Sequence, residues 1–317
     1  MDLAGIHHVT AITARIRDNH RFYTGVLGMR LVKRSVNQDD VRAYHLFYAD
    51  AVGSPGTDLT FFDWVVPPEN RGTKGIVRVH LRVNGLDSLA WWADHLSEHG
   101  VAHKGLRERD GRATLDFEDP EGQRLALFDD GGLGDPPVPW EGSPVPVAHQ
   151  LRGLGPIVIS VPSLTETDAV LTGVMALRPV REYSAPAGGI TDVRVYEMGS
   201  GGPSAEVHVA VQPELPATSQ GAGGVHHVAF RTRTEDEYHA WGERLNSLSV
   251  PNSGEIDRFW FRSLYFREPN GILFEIATDG PGFTVDEPAE ALGETVVLPP
   301  FLEPQRERIM AGLKPID

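Results

Sequence analysis

The chain has 317 residues and a formal net charge of −15, from 29 basic and 44 acidic side chains. This acidic balance disfavours nucleic acid and anionic membranes as partners, because both need a basic surface. Cysteine is absent, so disulfides, thiolate metal sites and cysteine nucleophiles are excluded, and any metal must be held by imidazole and carboxylate groups. The first residues lack the basic and apolar segments of a signal peptide, and no apolar run reaches the roughly 18 residues of a membrane span. We therefore expect a cytoplasmic protein without a membrane partner.

Four segments repeat one pattern, in which a strand is followed by an amphipathic helix and then by several strands. Their opening strands begin near Ile6, Ile76, Gly155 and Val225, at intervals of 70, 79 and 70 residues. This order predicts an α+β fold with four βαβββ modules, which form two domains of paired, curved mixed sheets with the helices outside.

The first two modules occupy the N-terminal domain, residues 1–130. In the first, Asp18 is predicted to cap a helix that runs to Gly28, and in the second, Leu89, Trp92 and Leu96 mark the apolar face of a helix. The predicted strands of these modules are Ile6–Ile12, Arg30–Val36, Tyr44–Tyr48, Leu59–Trp64, Ile76–Val83, Ala113–Glu118 and Arg124–Asp129.

Residues 131–152 are rich in glycine and proline and are predicted to link the two domains. The C-terminal domain, residues 153–317, then holds two further modules and a C-terminal tail. Its predicted helices are Ser163–Leu177 and Thr234–Leu248, and its predicted strands are Gly155–Val161, Arg178–Glu182, Asp192–Met198, Ala205–Val211, the strand that opens at Val225, Arg262–Arg267 and Ile272–Thr278.

Two of the opening strands carry the same local sequence, a glycine and a β-branched residue followed by His-His-Val. The two copies are Gly5–Thr13 and Gly224–Thr232, so paired histidines stand at equivalent places of two modules. Adjacent residues of a regular strand face opposite sides of the sheet, so only one histidine of each pair can reach a shared ion. Alternation alone does not say which one.

A carboxylate stands in the last strand of the fourth module. Glu275 is flanked by apolar residues, and a carboxylate in such a strand is costly unless it forms an ion pair or coordinates a metal. The matching position of the second module is Ala126, so the fold does not require an acid there. Two histidines and one carboxylate are typical of non-haem Fe(II) sites that use O2, although Zn, Mn or Ni are compatible with the same ligands. A buried salt bridge is the competing interpretation of Glu275.

The sequence resembles the vicinal oxygen chelate superfamily and is most similar there to the dioxygenases that open hydroquinone rings. The resemblance extends over essentially the whole chain. It is carried by Gly5–Thr13, Val32–Asp40, Tyr44–Tyr48, Gly53–Thr57, Leu59–Phe62, Gly224–Phe230, Tyr265–Gly271, Phe274-Glu275 and Asp279–Glu287.

The resemblance implies that the second histidine of each pair is a ligand, so that His8, His227 and Glu275 hold the metal. It also implies that the first and fourth modules share the metal site while the second and third pair elsewhere. The pocket residues that it implies are His7, Thr10, His226, Arg258 and Tyr265.

The function that the resemblance implies is Fe(II)-dependent opening of a substituted hydroquinone ring with O2. His226 and Tyr265 are expected to move protons, and Trp260 and Phe283 to line an apolar pocket for the small aromatic substrate. One alternative is a glyoxalase-like isomerase, which needs a further acidic residue at the metal where the first module offers only Asp58. Another is a metal-free protein that binds an aromatic compound. The composition is compatible with a homo-oligomer.

Overall fold

The computed structural model describes residues 1–185 and 190–316. Sixteen strands form two mixed sheets of eight strands each, and the helices are few, so the predicted fold class is confirmed. The strands are β1 (Ile6–Thr13), β2 (Arg30–Val36), β3 (Tyr44–Ala49), β4 (Asp58–Asp63), β5 (Gly75–Val83), β6 (His103–Arg109), β7 (Arg112–Glu118), β8 (Arg124–Asp129), β9 (Leu154–Val161), β10 (Arg178–Ala185), β11 (Ile190–Glu197), β12 (Glu206–Val211), β13 (Val225–Thr232), β14 (Asn252–Asp257), β15 (Arg262–Arg267) and β16 (Leu273–Thr278).

Each curved sheet combines one module from either side of the predicted linker. The first sheet has the order β14-β15-β16-β13-β1-β4-β3-β2, so it contains the fourth and first modules. The second has the order β10-β11-β12-β9-β5-β8-β7-β6, so it contains the third and second modules. In both sheets the opening strands of two modules pair antiparallel at the centre. Residues more than 200 positions apart are thereby brought to one sheet, while the division of the chain at 131–152 stays a prediction.

The helices differ between the modules. Regular helices of 13 residues, α2 (Leu86–Glu98) and α4 (Glu235–Ser247), bury one apolar face against the sheets, as the spacing of Trp92 and Trp241 with their neighbours predicts. The other two are short, α1 (Ile16–Arg21) and α3 (Leu164–Ala169), and each continues as a five-residue π-helical turn. A final helix, α5, spans Arg306–Gly312.

The start predicted for α1 is wrong. The helix begins at Ile16, with Arg15 at the cap position, and Asp18 lies inside its first turn. Ile16 is buried, so burial of this apolar side chain outweighs the preference of aspartate for the cap. Acidic Asp18 still interacts favourably with the positive end of the helix.

The sequence pattern did not predict two strands, β6 and β14. Both lie at the edges of their sheets, and their sequences are mostly polar, with Gly105 and Gly254 at positive φ inside them. An edge strand exposed on one face carries few apolar residues, so hydrophobic alternation gives only a weak indication of it.

A C-terminal strap, residues 279–298, lies against the first sheet. Its Val297 pairs with Arg34 of β2 through a backbone hydrogen bond, and Gly293 passes so close to the Leu31 carbonyl that a Cβ atom would not fit. Among residues 1–185 and 190–316, no helix has the length and apolar character needed to cross a membrane.

Candidate metal centre

Three residues that are distant in sequence meet in the middle of the first sheet. His8 lies on β1 and His227 on its antiparallel neighbour β13, while Glu275 lies on β16, which pairs with β13. The three side chains are almost entirely buried, and their ligand atoms all lie within 4.8 Å of one another. The structure therefore brings together the residues that the resemblance implied as a metal-binding set.

Both imidazoles point at the same carboxylate oxygen. His227 Nε2 lies 2.9 Å and His8 Nε2 lies 3.3 Å from Glu275 Oε2. The other oxygen, Oε1, accepts a hydrogen bond of 2.5 Å from Ser263, which fixes the carboxylate. Within the described part of the chain, however, Oε2 has no partner that meets the geometry of a hydrogen bond. A buried carboxylate oxygen in this state is costly unless a cation lies beside it.

The hydrogen bonds of His7 determine the tautomer of His8. His7 Nε2 lies 3.0 Å from the backbone carbonyl of Thr278, which can only accept, so Nε2 carries the proton. Burial, and then His8, lowers the pKa of His7 to about 3, so its ring is neutral and Nδ1 is an acceptor. The donor in the 2.9 Å contact between the two Nδ1 atoms is therefore His8. In the neutral form of the ring, His8 therefore presents the lone pair of Nε2 to Glu275.

The second pair repeats this contact. His226 Nδ1 lies 2.7 Å from His227 Nδ1, and burial, and then His227, lowers the pKa of His226 to about 3. A neutral His226 can accept the Nδ1 proton of its neighbour, which leaves His227 Nε2 free to coordinate. Histidine ligands are commonly held in this way, by a hydrogen bond at the nitrogen remote from the metal.

The donor set fits a divalent metal. Glu275 is fully buried and its Oε1 accepts the hydrogen bond from Ser263, so Oε2 is the carboxylate oxygen that remains to meet a cation. An ionised carboxylate that faces an imidazole lone pair repels it, and a cation between them turns this repulsion into coordination. Two nitrogens and one oxygen leave further positions open on such an ion.

A second group of potential ligands, Asp110, Glu206 and His208, belongs to the other sheet and is paired with arginines. Glu206 accepts two hydrogen bonds from Arg112, at 2.6 and 2.7 Å, and a third contact of 2.8 Å comes from Arg181. His208 Nε2 donates a hydrogen bond of 2.9 Å to the same carboxylate, and Arg181 also pairs with Asp110. Guanidinium groups thus supply the positive charge that a metal would supply, so this cluster is an ion-pair network.

A small cavity of about 40 Å³ lies beside the three candidate ligands. Its wall is largely aromatic, and Arg258 forms an ion pair of 2.8 Å with the exposed Asp39 at its outer end. A larger open groove of about 910 Å³ lies elsewhere, between α1 and the turn after α2, and contains none of the three residues. The residues that line the small cavity are His8, Asn37, Gln38, Asp39, His45, Phe47, Phe62, His227, Arg258, Trp260, Phe261 and Tyr265.

The pocket residues implied by the resemblance fall into two groups. Arg258 and Tyr265 line the cavity beside the candidate ligands. His7, His226 and Thr10 do not line it. The two histidines lie behind the ligands and contact their Nδ1 atoms, and Thr10 hydrogen-bonds to Thr60 at 2.8 Å.

The aromatic wall differs in part from the expectation. Trp260 lines the cavity, whereas Phe283 packs behind it against Phe47, with ring centroids 5.1 Å apart. His45 also lines the cavity and was not identified from the sequence. Its place on the same face of β3 as Phe47, two residues away, is the sequence feature that indicates this position.

The family model named Glyoxalase/Bleomycin resistance protein/Dioxygenase superfamily matches residues 5–127 and 153–276, which is most of the chain. The chain belongs to this superfamily. The two matched stretches begin at the opening strands of the first and third modules, so each covers two modules.

Several relatives are similar over their whole length. The chain is 46% identical to MhqA of Bacillus subtilis (strain 168), which is named as a ring-cleaving dioxygenase, with all of both chains covered. It is 31% identical to the chlorohydroquinone/hydroquinone 1,2-dioxygenase of Sphingobium indicum, over 96% of this chain and 94% of that one.

Solved structures of the superfamily share the fold. A crystal structure of a protein from Bacillus subtilis subsp. subtilis str. 168, named as a dioxygenase, has a TM-score of 0.88 and 32% identity, with 99% of this chain and 98% of that one covered. Glyoxalase I from Zea mays is 14% identical with a TM-score of 0.61, over 87% and 92% of the two chains, and therefore shows likeness of fold alone.

Proposed function

We propose that this protein is an Fe(II)-dependent dioxygenase that opens the ring of a hydroquinone-type substrate and incorporates both atoms of O2. The observation that carries the proposal is the convergence of His8, His227 and Glu275 at one buried point beside an aromatic-lined cavity. The names of the full-length relatives support the reaction class and the substrate class.

The residues that would hold the ion are His8, His227 and Glu275. A bound Fe(II) would supply the Lewis acidity and the one-electron chemistry that a reaction with O2 requires. His7 and His226 would keep the two ligand rings in the tautomer that leaves Nε2 unprotonated.

Tyr265 is suited to donate a hydrogen bond to an oxygen of the substrate. It lies on β15 opposite Glu275, and its ring centroid lies 5.8 Å from that of His227. Burial, and then the nearby Glu275, raises the pKa of Tyr265 well above its ordinary value of 10.0, so Oη keeps its proton. The Arg258 guanidinium lies 5.4 Å from the centre of the Tyr265 ring and adds positive charge on this side of the cavity. Such donors stabilise negative charge that develops on a reacting oxygen.

The cavity wall would orient an aromatic ring and exclude water. Phe47, Phe62 and Phe261 present apolar surfaces, and Trp260 completes the wall. The cavity is smaller than a substituted ring requires, so the ion pair between Arg258 and Asp39 would open when the substrate enters.

The register of the strands argues against the glyoxalase-like isomerase. Glu275 pairs with Ala229, two residues after His227, and the equivalent residue of the first module is Thr60, which pairs with Thr10 two residues after His8. Thr60 is engaged with Thr10 and His45 and offers no carboxylate to a metal. Within residues 1–185 and 190–316, the buried Glu275 Oε2 has no hydrogen-bond partner, which likewise argues against a metal-free binding protein.

The decisive experiment is O2 uptake by anaerobically purified protein loaded with Fe(II). We expect O2 consumption equal to the loss of methylhydroquinone or chlorohydroquinone, slower uptake with catechol, and none after Fe(II) is removed by a chelator. Mass spectrometry with ¹⁸O2 should place both labelled atoms in the product. Protein that holds iron but consumes no O2 with these substrates would overturn the proposal.

A further inference from the structure

His45 lies in the wall of the small cavity beside the candidate metal ligands. Strand alternation puts it on the same face of β3 as Phe47, and its ring lies between two aromatic neighbours. The ring centroids of Phe47 and Phe62 are 4.0 and 4.5 Å away. His45 is therefore a polar side chain between two aromatic rings of the cavity wall.

Two threonines on neighbouring strands hold the ring. His45 Nε2 lies 2.9 Å from Thr60 Oγ1, which in turn lies 2.8 Å from Thr10 Oγ1. Both hydroxyls are fully buried, so this chain of hydrogen bonds is shielded from water and sets the ring orientation. In the described part of the protein, no residue forms a hydrogen bond with the other ring nitrogen, Nδ1.

The ring is neutral. Burial, and then the two ligand histidines, lowers the pKa of His45 well below its ordinary value of 6.5. A neutral imidazole can donate or accept at Nδ1, depending on the direction of the threonine hydrogen bonds, and a phenolic hydroxyl can match either role. Two other polar side chains of this wall have partners of their own, since the Gln38 amide donates to the Arg258 carbonyl at 2.8 Å and the Asn37 side-chain oxygen accepts from the Asp39 N–H at 2.8 Å.

We propose that His45 binds, through Nδ1, the ring hydroxyl of the substrate that does not contact the metal. This inference rests on the proposed function, in which one hydroxyl of a diol lies at the metal beside Tyr265. His45 belongs to the first module, and Tyr265 to the fourth, so the two side chains approach the ring from different halves of the sheet. His45 thereby makes the enzyme selective for diols over simple phenols.

The test compares two ligands that differ only in the second polar group, hydroquinone and 4-methylphenol. Their dissociation constants are measured by calorimetry without O2, on Fe(II)-loaded wild type and the His45→Phe variant, after metal content and circular dichroism have been checked. The wild type should prefer hydroquinone by about tenfold, which is the worth of one buried hydrogen bond, and His45→Phe should bind both ligands equally.

Two further variants keep the result interpretable. Phe62→Leu alters the same wall without changing a hydrogen bond, so it should weaken both ligands and retain the tenfold preference. His45→Gln keeps an amide that can reach a hydroxyl, so it should retain part of the preference, and it decides the question if His45→Phe does not fold. A wild type without preference, or a His45→Phe variant that keeps it, would overturn the inference.

Oxygen uptake by the wild type separates this inference from the proposed function. If hydroquinone is consumed with O2 but His45→Phe keeps the preference, the role of His45 is wrong and the proposed function stands. If the preference depends on His45 but no O2 is consumed, the hydroxyl-binding role stands and the reaction is wrong. A wild type that neither binds hydroquinone nor consumes O2 would overturn both.

Discussion

The histidine pairs depart from the regular alternation of side chains along a strand. Strand alternation puts His7 and His8 on opposite faces, yet their Nδ1 atoms lie 2.9 Å apart. The register of β1 against β13 shifts between Ile6 and His8, and such a bulge re-aims neighbouring side chains. The sequence could predict the paired histidines but not this contact, because a bulge depends on the pairing of two strands from distant modules.

His7 is a positioning residue, and its loss should weaken the binding of metal. We expect His7→Ala to lower the affinity for Fe(II) or Zn(II) by about 10- to 100-fold, because His8 loses the acceptor that fixes its tautomer. Competition with a chromophoric chelator measures this affinity directly. His239→Ala, which removes an exposed histidine on α4, is the control and should leave the affinity unchanged. Equal affinities in all three proteins would contradict the role of His7.

Tyr265 should affect turnover and not metal binding. Tyr265→Phe removes one donor at the cavity, so we expect it to retain iron while kcat falls by about 100-fold. Steady-state O2 uptake and iron analysis on the same preparation separate the two effects. Tyr183→Phe makes the same change in the second sheet, where the hydroxyl contacts His208, and should leave kcat unaltered. Loss of iron from Tyr265→Phe would show that the residue acts through the metal site.

At the scale of elements, the sequence predicted the central strands and missed what depends on tertiary contacts. Strands such as β8 and β15, which pair with a neighbour on both sides, match their predicted bounds, because apolar alternation is clear in strands inside a sheet. The polar edge strands β6 and β14 were missed. Thr60 and His45 were missed as site residues for a related reason, since their importance comes from the neighbours that strand register gives them.

A fully buried lysine holds the C-terminal strap against the first sheet. Lys33 of β2 forms ion pairs with Asp286 and Glu287, and it donates a hydrogen bond of 3.1 Å to the Phe283 carbonyl. Asp286 also accepts a hydrogen bond of 3.0 Å from the indole of Trp260, which lines the cavity. The strap thereby connects the edge of the sheet with the wall of the candidate site.

Replacement of Lys33 should destabilise the protein strongly. Lys33→Met leaves the strap carboxylates without their cation, so we expect the free energy of unfolding to fall by about 3–5 kcal/mol. Urea denaturation measures the loss, and a Lys33→Met/Glu287→Gln double variant should recover part of it. Lys314→Met breaks a half-exposed pair with Asp63 and should cost less than about 1 kcal/mol. Similar losses in the two single variants would contradict this assignment.

At the scale of the whole molecule, the two sheets have the same arrangement of strands but carry different side chains. The first places two histidines and a carboxylate around one point, and the second fills the corresponding region with arginine ion pairs. Buried polar groups outside the strands also connect modules that belong to different sheets. Tyr23 of the first module donates a hydrogen bond of 3.2 Å to Asp119 of the second.

Asp119 should make stability depend on pH. Burial is the main reason that its pKa is raised from 3.8 to about 6, so between these values the folded state binds more protons than the unfolded state. The contribution of Asp119 to stability therefore falls as pH rises through this window, by up to about 3 kcal/mol. Asp119→Asn removes this dependence, so its free energy of unfolding relative to wild type should rise between pH 4 and pH 7. The exposed Glu98→Gln should change this difference by less than about 0.5 kcal/mol. A constant difference for Asp119→Asn would contradict the raised pKa.

An anaerobic Fe(II) titration monitored by thermal unfolding tests most directly whether one metal ion joins the first and fourth modules. The wild type should bind about one ion per chain, and at 100 times the dissociation constant its stability should rise by about 2.7 kcal/mol, with an increase in Tm of several degrees. Glu275→Ala and His8→Ala should fold but show no such increase. A Glu275→Ala variant that binds Fe(II) as tightly as the wild type, with the same rise in Tm, would contradict the account.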